Sequence, residues 1–392
     1  MSFLSFNPVP RTLMGPGPSD INPRVLAALS RPIIGHLDPQ FVGMMDEVKV
    51  LLQYAFQTKN ELTIPVSAPG SAGMETCFTN LVEPGDTVVV CQNGVFGMRM
   101  AENVIRCGGK LILIEDEWGT AVDPQKLEDA LVKHPEAKLV AFVHAETSTG
   151  VESDAKTLCA VAHKYDCLTI VDAVTSLGGI ELDVDGWGID AIYSGTQKCL
   201  SAPPGISPVS FNDKAVELIK ARKTPVQSWF LDLNLVMGYW GQGAKRAYHH
   251  TAPINALYAL HESLLLLKEE GLENAWARHK HHHNALKTGL EAMGLTLVVD
   301  EAIRLPQLNA VAMPEGVDEA KIRSELLSKH NLEIGAGLGQ FAGKLWRIGL
   351  MGYAANEANV RLCISSLEGE LSQAGVHSSG AGVLAIDAYY GA

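Results

Sequence analysis

Two charged residues close apolar runs, where a buried charge is costly unless something uses it. Asp172 ends Leu168-Thr-Ile-Val-Asp172, and Lys198 ends Ala191-Ile-Tyr-Ser-Gly-Thr-Gln-Lys198. Taken singly, Asp172 reads equally well as a helix cap or loop anchor, and Lys198 as a solvated cation past a strand. The pair says more. A desolvated amine with a lowered pKa can condense with an aldehyde, and a carboxylate can keep a pyridine nitrogen protonated so that the ring draws electrons. A third feature, Ser67-Ala-Pro-Gly-Ser-Ala-Gly-Met-Glu75, leads from a strand-like segment at 62–66 into a helical pattern at 74–81. Small residues there let backbone N–H groups at a helix start approach a phosphate. Such turns usually bind nothing, and this one is neither a Walker loop nor GxGxxG. Beside Asp172 and Lys198 it completes the requirements of one cofactor, pyridoxal 5'-phosphate (PLP).

Something must bring these groups together. The middle of the chain alternates short β-rich runs, at 87–91, 110–115, 139–144, 168–172, 191–194 and 207–211, with amphipathic segments such as 124–133 and 154–164. Strands that are apolar throughout and separated by helices form a mostly parallel sheet covered on both faces. Ligands of such sheets bind beyond the carboxyl ends of the strands, where Asp172 and Lys198 fall. From about residue 255 the pattern changes. Helical stretches at 255–270 and 273–293 lead into strands near 295–299 and 309–313, a helix at 319–329 and a strand at 344–350. The expected class is α/β, with an arm over 1–20, a large domain over 21–268 and a smaller α+β domain over 269–392. The Gly-Pro-Gly-Pro segment within 8–19 cannot form a regular element. The Gly-, Ser- and Ala-rich end at 375–392 has no evident assignment.

The bulk numbers narrow the field. A chain of 392 residues exceeds one simple core. Its balance of 31 basic against 44 acidic side chains, net −13, argues against nucleic acid or an anionic membrane as main partner. The seven cysteines form no CxxC pair and sit mostly in apolar runs, as reduced, buried thiols do. No signal peptide, spanning segment, or peroxisomal or prenylation ending is evident, so a cytoplasmic protein is expected. His279, His281, His282 and His283 invite a metal reading through the i, i+4 pair 279/283. With no carboxylate arranged beside them, a solvated helix face is the expectation and no metal site is assigned.

The motifs together resemble one family. Gly15-Pro-Gly-Pro, His144-Ala-Glu-Thr-Ser-Thr-Gly150, Val171-Asp-Ala-Val-Thr-Ser-Leu-Gly-Gly179, Ser194-Gly-Thr-Gln-Lys198 and Ala202-Pro-Pro-Gly205 are similar to segments of the class V, fold-type I PLP aminotransferases. Tyr248-His-His-Thr-Ala-Pro253 and Gly343-Lys-Leu-Trp-Arg-Ile-Gly-Leu350 continue the likeness, which spans about residues 13 to 353 in order. It is nearest to the alanine–glyoxylate and serine–pyruvate aminotransferases. The resemblance implies that Lys198 is the Schiff-base lysine and Asp172 the pyridinium partner. It places Gly70 and Ser71 in the phosphate loop, Phe96 as a ring over the cofactor face, Thr147 as a hydroxyl near the cofactor and Gln197 as a phosphate contact. Tyr248 and Thr251 would reach the phosphate from a second subunit, which implies a homodimer with shared sites. Arg347 would grip the substrate carboxylate, and a guanidinium inside Leu345-Trp-Arg-Ile-Gly349 does need an anion.

The activity so implied is ping-pong transamination of L-alanine or L-serine with glyoxylate or pyruvate. One departure stands out: Pro69 occupies a loop position where relatives usually carry Ser or Thr, removing an N–H and a hydroxyl. Rival readings are a same-fold lyase such as a cysteine desulfurase, a 2-aminoethylphosphonate donor, and a partner protein without activity. The desulfurase is disfavoured by Gln197 before the lysine and by the absence of a later loop cysteine. The inactive partner is disfavoured by the intact Lys198, Asp172 and Arg347.

Overall fold

The computed structural model describes residues 4–241 and 246–391. Seven strands build the central sheet: β1 (Leu62–Val66), β2 (Thr87–Gln92), β3 (Lys110–Glu115), β4 (Ala137–Val143), β5 (Leu168–Asp172), β6 (Ala191–Tyr193) and β7 (Ser207–Phe211). Their order is β1-β7-β6-β5-β4-β2-β3. Only β7 runs antiparallel to its neighbours β1 and β6; the remaining pairs are parallel. Val88, Val89, Val90, Leu139, Val140, Phe142, Ile170 and Val171 are buried, as strands covered on both faces require. The edge strand β3 starts with an exposed lysine, Lys110, which discourages further pairing.

A second, antiparallel sheet joins Leu308–Ala312, Leu345–Gly349 and Gly335–Ala336, with Leu345–Gly349 in the middle. Its own apolar cluster contains Leu286, Leu290, Trp346, Ile348, Ile364 and Leu367. The helix Leu272–Ala292 belongs to both clusters: Leu272 and Ala275 pack with the central sheet, Ala285 and Leu286 with the second. Among the described residues no helix is long and apolar enough to cross a membrane. All seven cysteines are buried and unpaired.

Several expectations are corrected. The helix after the phosphate loop starts at Gly70 rather than 74: it runs Gly70–Leu81, with Pro69 at its N-cap and the Ala72 N–H bonded to the Pro69 carbonyl at 2.7 Å. Residues 295–299 form no strand; Leu297 makes a single bridge to Val311, since the segment leaves a turn at Gly294 and meets its neighbour only briefly. Thr12–Leu13, expected to be irregular, pairs in parallel with Leu332–Glu333. The unassigned end holds a helix, Ala381–Tyr390, whose Gly382 and Ile386 are buried. Small residues make it look loop-like, yet they let it lie close to Met293 and Ile364. The histidines do not form a solvated face. His279 and His283 are buried; His279 bonds the Ala275 carbonyl through Nδ1 and accepts the Gly352 N–H at Nε2. His283 Nδ1 bonds the Asn309 side chain at 2.7 Å. Burial pushes the pKa of each down to about 4.

Candidate active site

The parallel pairing of β5 and β6 sets Asp172 directly beside Tyr193. Their side chains leave the same face, and the Tyr193 hydroxyl donates to Asp172 Oδ2 at 2.7 Å. Oδ1 accepts the Val174 N–H at 2.8 Å. Asp172 is 2% exposed. Burial raises its pKa to about 7, against the pull of those two donors and of Lys198.

Five residues beyond β6, the chain turns and presents Lys198, which is 8% exposed. Burial first, and then the charge of Arg347, lower its pKa to about 8. Its Nζ donates to the Pro16 carbonyl, while Ser19 Oγ donates to the Lys198 carbonyl oxygen at 2.8 Å. The N-terminal arm therefore holds this lysine at both ends. Gly17 is required at the contact: with φ +103°, it would place a Cβ 2.5 Å from Nζ.

Asp172, Lys198, Gln197, Gly70, Ser71 and Phe96 line one cavity of about 210 Å³. Pro69, Met74, Arg99, Val174 and Tyr193 complete its wall. At one end the helix Gly70–Leu81 begins; the first N–H groups of a helix have no acceptor within it and carry its positive pole. Gln197 Oε1 is buried without a hydrogen-bond partner among the described residues. The donor set fits PLP: an amine for the aldehyde, a carboxylate for the ring nitrogen, a helix start for the phosphate and Phe96 for the ring face.

The other expected residues lie outside this wall. Arg347 is 6% exposed, on the middle strand of the second sheet. Its Nε donates to the Ala336 carbonyl at 2.7 Å and its Nη1 to the Thr147 carbonyl at 3.1 Å. Among the described residues no carboxylate pairs with it, so the outer edge of the fork remains free for an anion. Burial pulls its pKa down to about 10. Thr147 is buried and touches Arg347 through its backbone. Tyr248 is 62% exposed; its hydroxyl lies 3.5 Å from Thr251 Oγ1 and its ring packs on His36. Neither Tyr248 nor Thr251 reaches the cavity of its own chain.

Two residues escaped the sequence reading. Tyr193 would have emerged from laying 168–172 beside 191–194, which sets it opposite Asp172. Glu146, fully buried, accepts Ser148 Oγ at 2.6 Å and the Phe96 N–H at 3.0 Å. It thereby fixes the start of the helix Val95–Arg106, from which Phe96 faces the cavity. Its signal was a carboxylate among small residues just past a strand, the same signal that exposed Asp172.

Comparison with known proteins agrees with this geometry. The model of the family described as aminotransferase class-V matches residues 24–358. The (S)-ureidoglycine–glyoxylate transaminase of Bacillus subtilis is 39% identical over 97% of this chain and 95% of its own length. Its crystal structure superposes with a TM-score of 0.96, covering 99% of this chain and 100% of that one. The alanine–glyoxylate aminotransferase of Rattus norvegicus is 44% identical over 89% of this chain and 84% of its own. A crystal structure of the alanine–glyoxylate aminotransferase from Nostoc sp. is 43% identical, with a TM-score of 0.92 over 95% of this chain and 98% of that one. The chain belongs to the class V aminotransferases, enzymes of the fold-type I architecture that work with PLP.

Proposed function

We propose that this aminotransferase moves the amino group of L-alanine or L-serine to glyoxylate or pyruvate in two half-reactions. The observation that carries the reading is Lys198 and Asp172 facing one cavity, with the amine pulled down to about 8. The names of relatives 39–44% identical support the acceptor. When bound, PLP supplies an aldehyde that takes up an amine and a ring that withdraws electrons from the α-carbon.

The chain's residues do the rest. Lys198 holds the resting cofactor, and its Nζ then takes up and returns the proton of the donor's α-carbon as general base and acid. A pKa near 8 leaves a useful neutral fraction at neutral pH. Asp172, steadied by Tyr193 and Val174, would keep the ring nitrogen protonated. Gly70, Ser71 and Gln197 would hold the phosphate, Phe96 would stack on the ring face, and Thr147 would lie beside it. Arg347 takes the carboxylate of donor and acceptor in turn, and fixing that end supplies much of the rate through orientation.

Tyr248 and Thr251 are assigned to the phosphate of a second copy, so the working unit is a homodimer with shared sites. Their distance from their own cavity and the exposure of Tyr248 support this. A cytoplasmic location belongs to the same reading, as does a division into an arm over 1–20, a large domain over 21–268 and a small domain over 269–392. The two largest apolar clusters support two bodies, with the helix Leu272–Ala292 shared between them.

An absorbance spectrum tests the core of it. A band at ~410–420 nm should move to ~330 nm with the true donor and return with glyoxylate. Lys198→Ala should lose both the band and turnover; retained turnover would remove the lysine from the mechanism. A second donor, (S)-ureidoglycine, has the support of the Bacillus relative matched over 97% of this chain. Running alanine, serine and ureidoglycine side by side in that spectrum decides between them.

A further inference from the structure

The phosphate loop of this chain has a deficit. Pro69, at the N-cap of Gly70–Leu81, offers neither an N–H nor a hydroxyl, and no side chain caps that helix. The helix start still offers backbone donors, but these are neutral, and the phosphate they must hold is close to a dianion. Three charged side chains line the cavity: Asp172, Lys198 and Arg99. Asp172 is negative when ionised. Lys198 is committed to the aldehyde. That leaves Arg99.

The geometry suits Arg99 to such a task. It lies one turn after Phe96 on the helix Val95–Arg106, hence on the same face. Its guanidinium sits 5.0 Å from the centre of the Phe96 ring, which limits its freedom and leaves its N–H edges available. Among the described residues no carboxylate or hydrogen-bond acceptor engages that guanidinium, whereas Arg106 on the same helix is paired with Glu102. Ser71, the second residue of the helix start, lines the same cavity. A guanidinium fork can span two phosphate oxygens, which a hydroxyl at position 69 could not do.

We propose that Arg99 is a phosphate-binding residue of the cofactor cavity and supplies the attraction that Pro69 withholds. The inference rests on the PLP reading of this cavity. Because Arg99 lies at the exposed side of the cavity, its contribution should weaken with salt.

The test uses the whole chain freed of cofactor and titrated with PLP and, separately, with pyridoxal, which has the aldehyde and ring but no phosphate. Arg99→Ala should raise the PLP dissociation constant roughly tenfold or more, the scale of one charge-assisted hydrogen bond. Pyridoxal affinity should stay unchanged, and Arg99→Lys should fall between. In the Arg99→Ala background, Pro69→Ser should recover part of the lost PLP affinity. Equal losses for PLP and pyridoxal would assign Arg99 to support of Phe96 and overturn the proposal. So would an Arg99→Ala protein that binds PLP as the parent does. Failure of the parent itself to bind PLP would instead strike the cofactor reading. Arg99 is exposed, so the variant should fold; an unchanged thermal transition confirms that the affinities are comparable.

Discussion

A carboxylate buried as deeply as that of Asp172 stays ionised only with help, and here the help comes from a phenol and a backbone amide. Its pKa rises from the ordinary 3.8 to about 7 because burial outweighs both donors. Between those values the folded chain holds the proton more tightly than the unfolded one. The contribution of this group to stability is thus greatest at the acid end of that window and falls as pH rises through about 7. Tyr193→Phe removes the donor at Oδ2 and should destabilise the cofactor-free protein by about 1.5–3 kcal/mol near pH 8. Near pH 5, where Asp172 is protonated and accepts more weakly, the loss should be smaller. Urea unfolding at both pH values measures the difference, and equal losses would mean that Tyr193 serves packing alone. For Lys198 the shift is downward, so the rate at which the cofactor-free protein captures an aldehyde should rise through about pH 8. A midpoint above pH 10 would show an amine in ordinary solvent. Lys198 and Asp172 were legible because each breaks an apolar run. Tyr193 was not: a tyrosine closing an apolar strand costs nothing by itself, and its meaning depends on strand register.

The elements that carry these side chains are joined by contacts with little slack. The helix Gly70–Leu81 lies against β6 and β7, and a Cβ at Gly73 would come within 1.8 Å of Ser207 Oγ and 2.9 Å of its Cβ. Ser207 cannot retreat freely, since its hydroxyl donates to the Ser194 carbonyl at 2.6 Å. Gly73→Ala should therefore cost about 1–3 kcal/mol, the usual range for overpacking. It should also weaken PLP binding by moving the helix start; a lower urea midpoint with unchanged cofactor affinity would separate the two effects. The strands of the central sheet were legible to within a residue or two, because uninterrupted β-branched runs have few alternatives. The start of this helix was not. Gly-Ser-Ala-Gly lacks the apolar spacing that marks a helix, and the phosphate loop proved to be the first turn itself. The tail at 381–390 hid for the same reason, and the histidines misled because local charge said nothing of the second sheet packed over them.

At the scale of the molecule, the assignment of Tyr248 and Thr251 to a neighbouring copy makes a direct prediction. Mixing Lys198→Ala subunits with subunits carrying Tyr248→Ala and Thr251→Ala should restore activity that neither set has alone. A mixed pair contains one cavity with an intact lysine and intact neighbouring residues. No recovery on mixing, with dimers present, would place the two residues elsewhere. The order of the two sheets and the helix Leu272–Ala292 between them followed from the change of pattern near residue 255. The arm over 1–20 was expected, but its contacts were not, because nothing in Gly-Pro-Gly-Pro announces what it touches. It adds a strand beside Leu332–Glu333, takes the Gly349 N–H at Met14, and meets Lys198 through Pro16 and Ser19. Proteolytic trimming that reaches past residue 10 thus removes contacts both to the strand at 332–333 and to Lys198. Because Met14 is buried in the second apolar cluster, a cut beyond residue 14 should alter the colour of the bound cofactor and lower the thermal transition together.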